Sequence, residues 1–353
     1  MVWVFTQACF VKEIIMNDQK PQALLAALME GCGLGAIVQA IEPVSGGFMH
    51  RMYRVVTDSG VYAVKRLNAE IMKRPDALAN YARAERIEGV LERRGLPLVP
   101  ALTIGGRKMQ RVGDQFFYVF RWQEGRIADW HHISIEMCHQ AGRLLGQIHA
   151  IAPRNVAHES PEMRSVDWRG YILRAREACP EIAALLEENE ALLASAEDEW
   201  NRARAALPAM RCLSNGDMDP KNILWHEGRP WMIDLECLDE GNPVDHAMSL
   251  ALQWAGVVTC ALDTDKLIAF FDGYLEAYDN GFRAYGDVAG VAYTWLEWLE
   301  YNVQRALGAC ADEEERALGL TEARRTMARI GYIHQEMPRI REALRDRLRP
   351  KDC

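Results

Sequence analysis

The chain carries little positive charge for its size: 41 lysines and arginines stand against 50 aspartates and glutamates among 353 residues. Proteins that bind nucleic acids usually present a basic face or stripe to the phosphates, so a formal net charge of −9 argues against such a partner. With 49% apolar and 26% charged residues, the composition is that of an ordinary globular protein, and the length suffices for two lobes. We expect a small-molecule partner, and the acidic balance weakly favours a cationic one.

Disulfide and zinc patterns are also missing. The nine cysteines form no Cys-x-x-Cys pair and their number is odd, which is typical of free thiols in a reducing compartment. His131, His132, Cys138 and His139 are close in sequence, but their spacing matches no familiar zinc-binding pattern. These features predict a cytoplasmic protein without a structural zinc site.

No secretory or membrane-spanning segment is recognisable at the start of the sequence. Residues 1–11 are apolar, yet they lack a basic leading region, are followed by Lys12 and Glu13, and are too few to span a bilayer. Met16 is followed by residues that can cap a helix. We therefore hypothesise that residues 1–16 are an N-terminal extension that is not native, and we expect no membrane partner.

Local patterns predict strands first and helices later. Residues 52–56 and 61–65 alternate apolar and polar side chains around a turn at 58–60, which predicts a β-hairpin. A charged helix is expected over 77–94, ended by Gly95. Another strand is expected to end with the aromatic-rich run just before Arg121, and helices dominate after that point.

This division predicts an α+β fold with two lobes. A small N-terminal lobe with an antiparallel sheet covers 17–120, a hinge covers 121–125, and a larger, mainly helical lobe covers 126–353. The nucleotide is expected on the first lobe, and the catalytic loop and substrate pocket on the second.

One loop and one strand end carry the residue types that phosphoryl transfer to an alcohol requires. This chemistry needs a carboxylate that takes the proton of the acceptor hydroxyl, and a second carboxylate and an amide oxygen that hold magnesium. Asp217 fits the first role, and Asn222 and Asp234 fit the second. Either motif alone is ordinary turn or strand-end chemistry, but both occur here in the required order. We predict an ATP-dependent or GTP-dependent small-molecule kinase that uses Mg²⁺.

The remaining nucleotide contacts are predicted from position. Lys65 ends a strand, from which its ammonium can reach the inner phosphates while a carboxylate of the next helix holds it. Glu85 is the predicted carboxylate, with Glu88 one turn further as the alternative. Main-chain contacts are expected from Ser45, Gly46 and Gly47 at the phosphates and from Arg121, Trp122 and Gln123 at the base.

Candidate substrate contacts are carboxylates and aromatic rings, because both attract cations. They are Asp219, Glu236, Trp295, Glu297, Trp298 and Glu300. Trp295 and Trp298 share one face of a predicted helix, and at such spacing core packing is the alternative to a substrate cage. The sequence does not choose among aminoglycoside-like, choline-like and other amino-alcohol acceptors.

Taken together, these motifs resemble the aminoglycoside phosphotransferase and choline kinase family, which has a protein-kinase-like fold. The resemblance covers most of the chain after Met16 and rests on 64–65, Glu85, the hinge, 145–150, 215–222, 233–236 and 241–245. It implies that Asp217 is the catalytic base, that Asn222 and Asp234 bind magnesium, that Lys65 contacts phosphates and that Asp245 is a structural carboxylate.

One position departs from the family pattern. Asn215 stands where the family usually has His, two residues before the catalytic Asp. Asn offers both a donor and an acceptor in a smaller volume, so we expect activity to survive. The departure keeps a catalytically silent nucleotide-binding protein as an alternative. A protein serine/threonine kinase is a further alternative, although no long activation segment or Ala-Pro-Glu follows Asp234.

Overall fold

The computed structural model describes residues 21–44, 50–156, 163–279, 288–310 and 312–345. The chain divides into two compact units. Within the described residues, the smaller unit consists of 21–127 and Asn222–Leu238, and the larger unit consists of the remainder. The predicted N-terminal extension and the predicted phosphate-binding turn at Ser45, Gly46 and Gly47 lie outside the described residues.

The smaller unit is built on a five-stranded antiparallel sheet in the order β1-β2-β3-β5-β4. Its strands are β1 (Glu42–Val44), β2 (Arg51–Thr57), β3 (Gly60–Arg66), β4 (Gln110–Val112) and β5 (Gln115–Arg121). Three helices belong to the same unit: α1 (Pro21–Gly31), α2 (Ala69–Met72) and α3 (Ala77–Arg93). The antiparallel sheet that was predicted for the N-terminal part of the chain is therefore confirmed.

Strands β2 and β3 form the predicted hairpin, because apolar side chains alternate along both. The register pairs Tyr53 with Val64 at the centre of the hairpin. Val55 and Val64 are fully buried against Phe117 of β5, and Leu28 of α1 packs into the same cluster. Burial of each such side chain stabilises the fold by roughly 1.5–3 kcal/mol.

Helix α3 ends where the sequence indicated. Gly95 follows it with a φ of +71°, a left-handed conformation that glycine adopts without steric cost. Tyr81 and Ala77 of the helix pack against Tyr118 of β5 and Leu67 in a second apolar cluster. This cluster fixes the helix to the sheet.

The segment Asn222–Leu238 belongs to the smaller unit, although the sequence pattern placed it in the helical lobe. It forms a second sheet in the order β10-β9-β6, with β6 (Arg126–Ile127), β9 (Ile223–His226) and β10 (Arg229–Met232). Main-chain bonds explain the grouping: Met232 N–H donates to the Pro97 carbonyl (3.0 Å), and Val99 N–H donates to the Met232 carbonyl (2.9 Å).

The larger unit is mainly helical, with one small sheet. Its helices are α4 (Ile135–His149), α5 (Trp168–Ala178), α6 (Pro180–Glu188), α7 (Glu190–Ala205), α8 (Pro243–Trp254), α9 (Thr264–Ala277), α10 (Trp295–Ala306) and α11 (Glu313–Leu344). The sheet has the order β11-β8-β7, with β7 (Arg154–Asn155), β8 (Met210–Asn215) and β11 (Leu238–Gly241). Within the described ranges, no helix is both long and apolar enough to cross a bilayer.

Helices α4 and α9 pack with unusually close backbones. A Cβ at Gly142 of α4 would overlap the carbonyl of Phe270, and a Cβ at Gly273 of α9 would overlap the carbonyl of His139. Glycine at both contact points therefore allows the two helices to approach. This close packing positions His149, the last residue of α4, beneath strand β8.

Candidate active site

Strand β8 leads directly into the loop that carries Asp217. The main-chain N–H of Asp217 donates to Oδ1 of Asn215 (3.1 Å), and the indole N–H of Trp254 donates to the carbonyl of Met218 (3.0 Å). Asn215 is fully buried, and its side-chain nitrogen has no hydrogen-bond partner among the described residues. The Asn at this position thus anchors the backbone of the predicted catalytic residue through its oxygen.

The Asp217 carboxylate is part of a compact charge cluster. Lys221 Nζ lies 3.0 Å from Oδ1 of Asp217 and 2.6 Å from Oδ2 of Asp219. Burial alone would lower the pKa of Lys221, but the two carboxylates outweigh it and raise that pKa above its ordinary value. The ammonium is therefore charged at neutral pH and lies beside the predicted base.

A buried polar network holds β8 in place. The hydroxyl of Ser214 lies 2.9 Å from Nε2 of His149 and 2.6 Å from Nδ1 of His246, and the Tyr274 hydroxyl lies 2.9 Å from Nδ1 of His149. Burial lowers the pKa of His149 well below its ordinary value and lowers the pKa of His246 to about 4. Both rings are therefore uncharged at neutral pH and act as hydrogen-bond partners of Ser214.

The resemblance assigned a structural role to Asp245, and its neighbour His246 contacts the strand that leads into the loop. The carboxylate of Asp245 makes no hydrogen bond to the loop within the described residues, whereas His246 bonds Ser214. Burial raises the pKa of Asp245 to about 6, although Arg204 acts in the opposite direction. A Cβ at Gly241 would overlap the His246 ring, so the glycine makes room for the histidine. His246 therefore contacts β8 directly, and the structural role of Asp245 stays a prediction.

In the smaller unit, Lys65 is held by two carboxylates. Its Nζ lies 2.7 Å from Oδ1 of Asp234 and 2.7 Å from Oε1 of Glu236. Burial alone would lower the pKa of Lys65, but the two carboxylates raise it above its ordinary value. Burial likewise acts to raise the pKa of Glu236, yet Lys65 and His50 hold it below the ordinary value. Both groups are therefore ionised at neutral pH.

His50 completes this cluster. Its Nδ1 accepts a hydrogen bond from the main-chain N–H of Asn68 (3.0 Å), and its Nε2 lies 3.1 Å from Oε2 of Glu236. Because Nδ1 accepts, the proton of a neutral ring is on Nε2 and is donated to Glu236. The carboxylate of Glu236 therefore contacts a cation and a donor of the same unit.

The two predicted magnesium ligands lie on neighbouring backbone segments of the smaller unit. Ile233 N–H donates to the Asn222 carbonyl (3.0 Å), which brings Asp234 next to Asn222. Asp234 has a φ of +56°, a left-handed conformation that is uncommon outside glycine and often marks functional sites. Its side chain keeps 40% of its surface exposed, so an incoming group can reach it.

A carboxylate and an amide oxygen are a suitable donor set for Mg²⁺. This ion usually takes one or two protein oxygens and completes its octahedron with phosphates and water. In the described part of the chain, no three His, Cys, Asp or Glu side chains converge as a metal site. Asn222 and Asp234 offer one amide and one carboxylate oxygen, so their chemistry fits the predicted ion.

The predicted pairing of Lys65 with Glu85 is wrong. Glu85 accepts a hydrogen bond from the Tyr118 hydroxyl (2.7 Å), and Tyr118 lies directly beside Lys65 in the β3–β5 register. The alternative, Glu88, pairs with Lys108 (2.8 Å). Glu85, which the sequence assigned to Lys65, thus binds the hydroxyl of Tyr118 on the neighbouring strand instead.

The predicted base contacts at 121–123 are partly used within the sheet. Arg121 pairs with Tyr62 at the end of β5, and the main-chain N–H of Trp122 donates to the Val61 carbonyl (3.0 Å). The amide N–H of Trp122 is therefore engaged within the sheet, and a base contact through its carbonyl stays a prediction. The side chain of Gln123 donates to the next main-chain carbonyl (2.9 Å), and the main-chain roles of Arg121 and Gln123 stay predictions.

The carboxylates that were predicted to contact the substrate all have cationic partners. Arg164 lies 3.5 Å from Glu297 and also pairs with Glu300. Asp219 forms an ion pair with Lys221, and Glu236, in the smaller unit, forms an ion pair with Lys65. Glu236 thus pairs with Lys65, and its role at a substrate stays a prediction. A cationic substrate would have to compete with an existing ion pair at each of the other three.

The two tryptophans differ in their surroundings. Trp295 is only 3% exposed and carries the Arg329 guanidinium 4.0 Å from its ring centroid, so it is a core residue. This burial favours the core-packing alternative, and a substrate contact of Trp295 stays a prediction. Trp298 is stacked on Tyr301 with 5.3 Å between ring centroids. Its role at a substrate stays a prediction.

Two residues of these clusters were not predicted from the sequence. Lys221 follows Asp217 by four positions and Asp219 by two, so the turn spacing alone could have indicated an ion pair. His50 is far from Glu236 in the sequence, and no local pattern links them. Lys221 places an ammonium beside Asp217 and Asp219, and His50 places a ring nitrogen beside Glu236.

Several solved structures share this fold. A spectinomycin phosphotransferase in complex with ADP and spectinomycin has a TM-score of 0.62 at 13% identity, covering 88% of this chain and 98% of that one. A microcompartment-associated aminopropanol kinase has a TM-score of 0.58 at 12% identity, covering 90% and 98%. An ethanolamine kinase from Plasmodium vivax has a TM-score of 0.53 at 14% identity, covering 86% and 83%. The expected kinase-like α+β fold is thereby confirmed.

Sequence comparison supplies the family. No curated protein sequence matches the chain. The profile of the phosphotransferase enzyme family matches residues 40–285, which is well over half of the chain and includes Lys65, Asp217, Asn222 and Asp234. The protein therefore belongs to the phosphotransferase enzyme family.

Proposed function

We propose that this phosphotransferase transfers the γ-phosphoryl group of ATP or GTP to a hydroxyl of a small, cationic molecule. Acceptors of this class are aminoglycoside-like antibiotics, choline-like compounds and other amino alcohols. The observation that carries the proposal is the placement of Asn222 and Asp234 on adjacent segments, with the Lys65 ammonium 2.7 Å from Asp234. Two oxygen ligands and an ammonium are what a magnesium-bound triphosphate requires.

Each residue of the candidate site has a distinct role in the proposed reaction. Asp217 accepts the proton of the acceptor hydroxyl, and Lys65 binds the inner phosphates of the nucleotide. Asn222 and Asp234 would hold Mg²⁺, which neutralises phosphate charge when it is bound. Asn215 and Trp254 fix the loop of Asp217 through main-chain atoms, so the base needs little reorganisation during the reaction.

The choice of acceptor class rests on charge and on the structural relatives. The chain has a formal net charge of −9, which favours cations in general. Two of the relatives are kinases of ethanolamine and aminopropanol, and a third is solved with spectinomycin and ADP. These names support a small hydroxylated acceptor and an adenine nucleotide for the present protein.

A panel assay with the purified full chain tests the proposal. ATP and GTP consumption is measured with magnesium and aminoglycosides, macrolides, choline, ethanolamine or other amino alcohols as acceptors. At least one acceptor should stimulate consumption, and Asp217→Asn should lower turnover by at least about a hundredfold, because it removes the base from the chemical step. The nucleotide affinity of this variant should stay within about threefold, since Asp217 is not assigned a nucleotide contact.

The matched control is Asp265→Asn, the same chemical change at an exposed position in the first turn of α9. Its turnover should equal that of the unchanged protein. Binding of magnesium-ATP without any Asp217-dependent transfer would contradict the proposal and favour a catalytically silent protein. Transfer to a generic protein acceptor alone would favour a protein kinase instead.

A further inference from the structure

Lys221 lies inside the catalytic loop with its ammonium between two carboxylates. Asp219, whose side chain is 2% exposed, holds it from the buried side at 2.6 Å. Asp219 Oδ1 also accepts the main-chain N–H of Lys221 (3.2 Å), so one carboxylate positions both ends of the lysine. Asp217, with 9% of its side chain exposed, lies 3.0 Å away on the more accessible side.

This arrangement fixes the direction in which the ammonium points. The lysine is in the short 3₁₀ turn Pro220–Asn222, which restricts its backbone, and its side chain is 16% exposed. A freely solvated lysine would gain little from an ion pair and would sample many rotamers. Here the buried carboxylate of Asp219 restrains the Lys221 side chain, and the ammonium of Lys221 is directed at the carboxylate of Asp217, the predicted base.

The chemistry places the transferring phosphoryl group near the same carboxylate. A general base must come within about 2.6–3.2 Å of the hydroxyl whose proton it takes. The acceptor oxygen in turn lies about 3–3.5 Å from the phosphorus in a reactive geometry. An ammonium 3.0 Å from the base is thus within reach of the phosphoryl oxygens, where negative charge must be balanced in the transition state.

We propose that Lys221 is a catalytic residue whose ammonium contacts the transferring phosphoryl group, with Asp219 as the residue that positions it. The inference rests on the proposed function and deepens it. The acceptor oxygen forms its bond to the γ-phosphorus, and the bond from that phosphorus to the β–γ bridging oxygen breaks. The electron pair leaves with the nucleoside diphosphate, the hydroxyl proton passes to Asp217, and Lys221 keeps its protons throughout.

Substitution of Lys221 tests this contact with the fastest acceptor of the panel. Lys221→Met should lower kcat by at least about a hundredfold, as loss of a transition-state donor does, with the KM of ATP within about threefold. Lys221→Arg, which keeps the charge, should retain kcat within about tenfold. Inhibition by ADP with aluminium fluoride, a mimic of the transferring group, should weaken at least about tenfold in Lys221→Met only.

A matched control separates the contact from a general loss of an ion-paired lysine. Lys108 is 12% exposed and pairs with Glu88 at 2.8 Å, so Lys108→Met removes a similarly buried ion pair away from the loop. It should change thermal stability but leave kcat within about twofold. If Lys221→Met does not fold, the double variant Asp219→Asn/Lys221→Met removes one charge of each sign and should show the same loss of kcat.

The outcomes are distinct. A kcat of Lys221→Met within threefold of the unchanged protein would overturn the proposal. So would a loss of kcat without weaker inhibition by ADP and aluminium fluoride, because the lysine would then act only by positioning Asp217. Absence of Asp217-dependent transfer in the unchanged protein would instead show that the proposed function itself has failed.

Discussion

At the scale of single residues, motif spacing located the candidate ligands but not their partners. Asn222 and Asp234 were identified from two short motifs, since each is defined by its immediate neighbours in the chain. The ion pair between Lys65 and Asp234 was not predicted, because the two residues are 169 positions apart and only the folded chain brings them together. Glu85 had the right distance in sequence, but the hydroxyl of Tyr118 occupies it. Ion-pair partners therefore depend on tertiary packing.

Removal of one negative charge at Asp234 should uncouple nucleotide binding from magnesium. In Asp234→Asn the side chain keeps its size, but the carboxylate that would hold the ion and that contacts Lys65 is gone. We expect the affinity for ATP in magnesium to fall to the value measured in EDTA. Titration calorimetry of the unchanged protein and the variant, each with and without magnesium, measures this difference.

Glu85→Gln is the matched control for this prediction. It neutralises the carboxylate that the sequence placed on Lys65 and the structure places on Tyr118. Its ATP affinity in magnesium should stay within about twofold. Persistence of a magnesium effect in Asp234→Asn, or a loss in Glu85→Gln as large as in Asp234→Asn, would refute the assignment.

At the scale of helices and strands, periodicity predicted the long elements and missed the short ones. The hairpin of β2 and β3 and the helix α3 follow from alternation and from Gly95. Strands β6 and β7 have two residues each, too few for any period to be visible. The hydrogen bonds that hold β8 could not be predicted either, because Ser214 is bonded by histidines from two separate helices. A buried hydroxyl has no sequence signature of its own.

This network should make stability depend on pH. Unfolded histidine has a pKa near 6.5, whereas the folded pKa of His246 is about 4 and that of His149 is also lowered. Between these values the unfolded chain binds protons that the folded chain does not, so the free energy of unfolding falls as pH falls from about 6.5 toward 4. Asp245, with a pKa raised to about 6, acts in the opposite direction there.

The contribution of His246 is isolated by His246→Gln. Each titrating histidine contributes a slope of up to about 1.4 kcal/mol per pH unit, so the variant should lose up to that amount of slope between pH 6 and 5. Urea unfolding across this range gives the slope independently of any constant loss from the broken bond to Ser214. His131→Gln, at an exposed histidine, should leave the slope unchanged. An equal slope in His246→Gln and the unchanged protein would disprove that His246 causes this pH dependence.

At the scale of the whole molecule, the candidate residues are distributed over two compact units. Lys65, Asn222, Asp234 and Glu236 all belong to the smaller unit, whereas Asp217 and Lys221 belong to the larger one. The sequence predicted a single change of lobe near 121–125, since the strand-rich pattern gives way to a mainly helical one there. It did not predict the return of Asn222–Leu238, because strands β9 and β10 are defined by partners distant in the chain.

Nucleotide binding should therefore protect one unit more than the other. A ligand that binds only the folded state adds to the stability of the unit that holds it, by about 2.7 kcal/mol at a hundred times its Kd. Magnesium-ATP should slow amide exchange in β3, β9 and β10 by up to about a hundredfold, and affect α11 of the larger unit much less. Hydrogen-exchange mass spectrometry measures both regions at once. Asp234→Asn should remove the magnesium-dependent part of this protection. Equal protection of α11 and β10 would contradict the assignment of Lys65, Asn222 and Asp234 as the main contacts of the bound nucleotide.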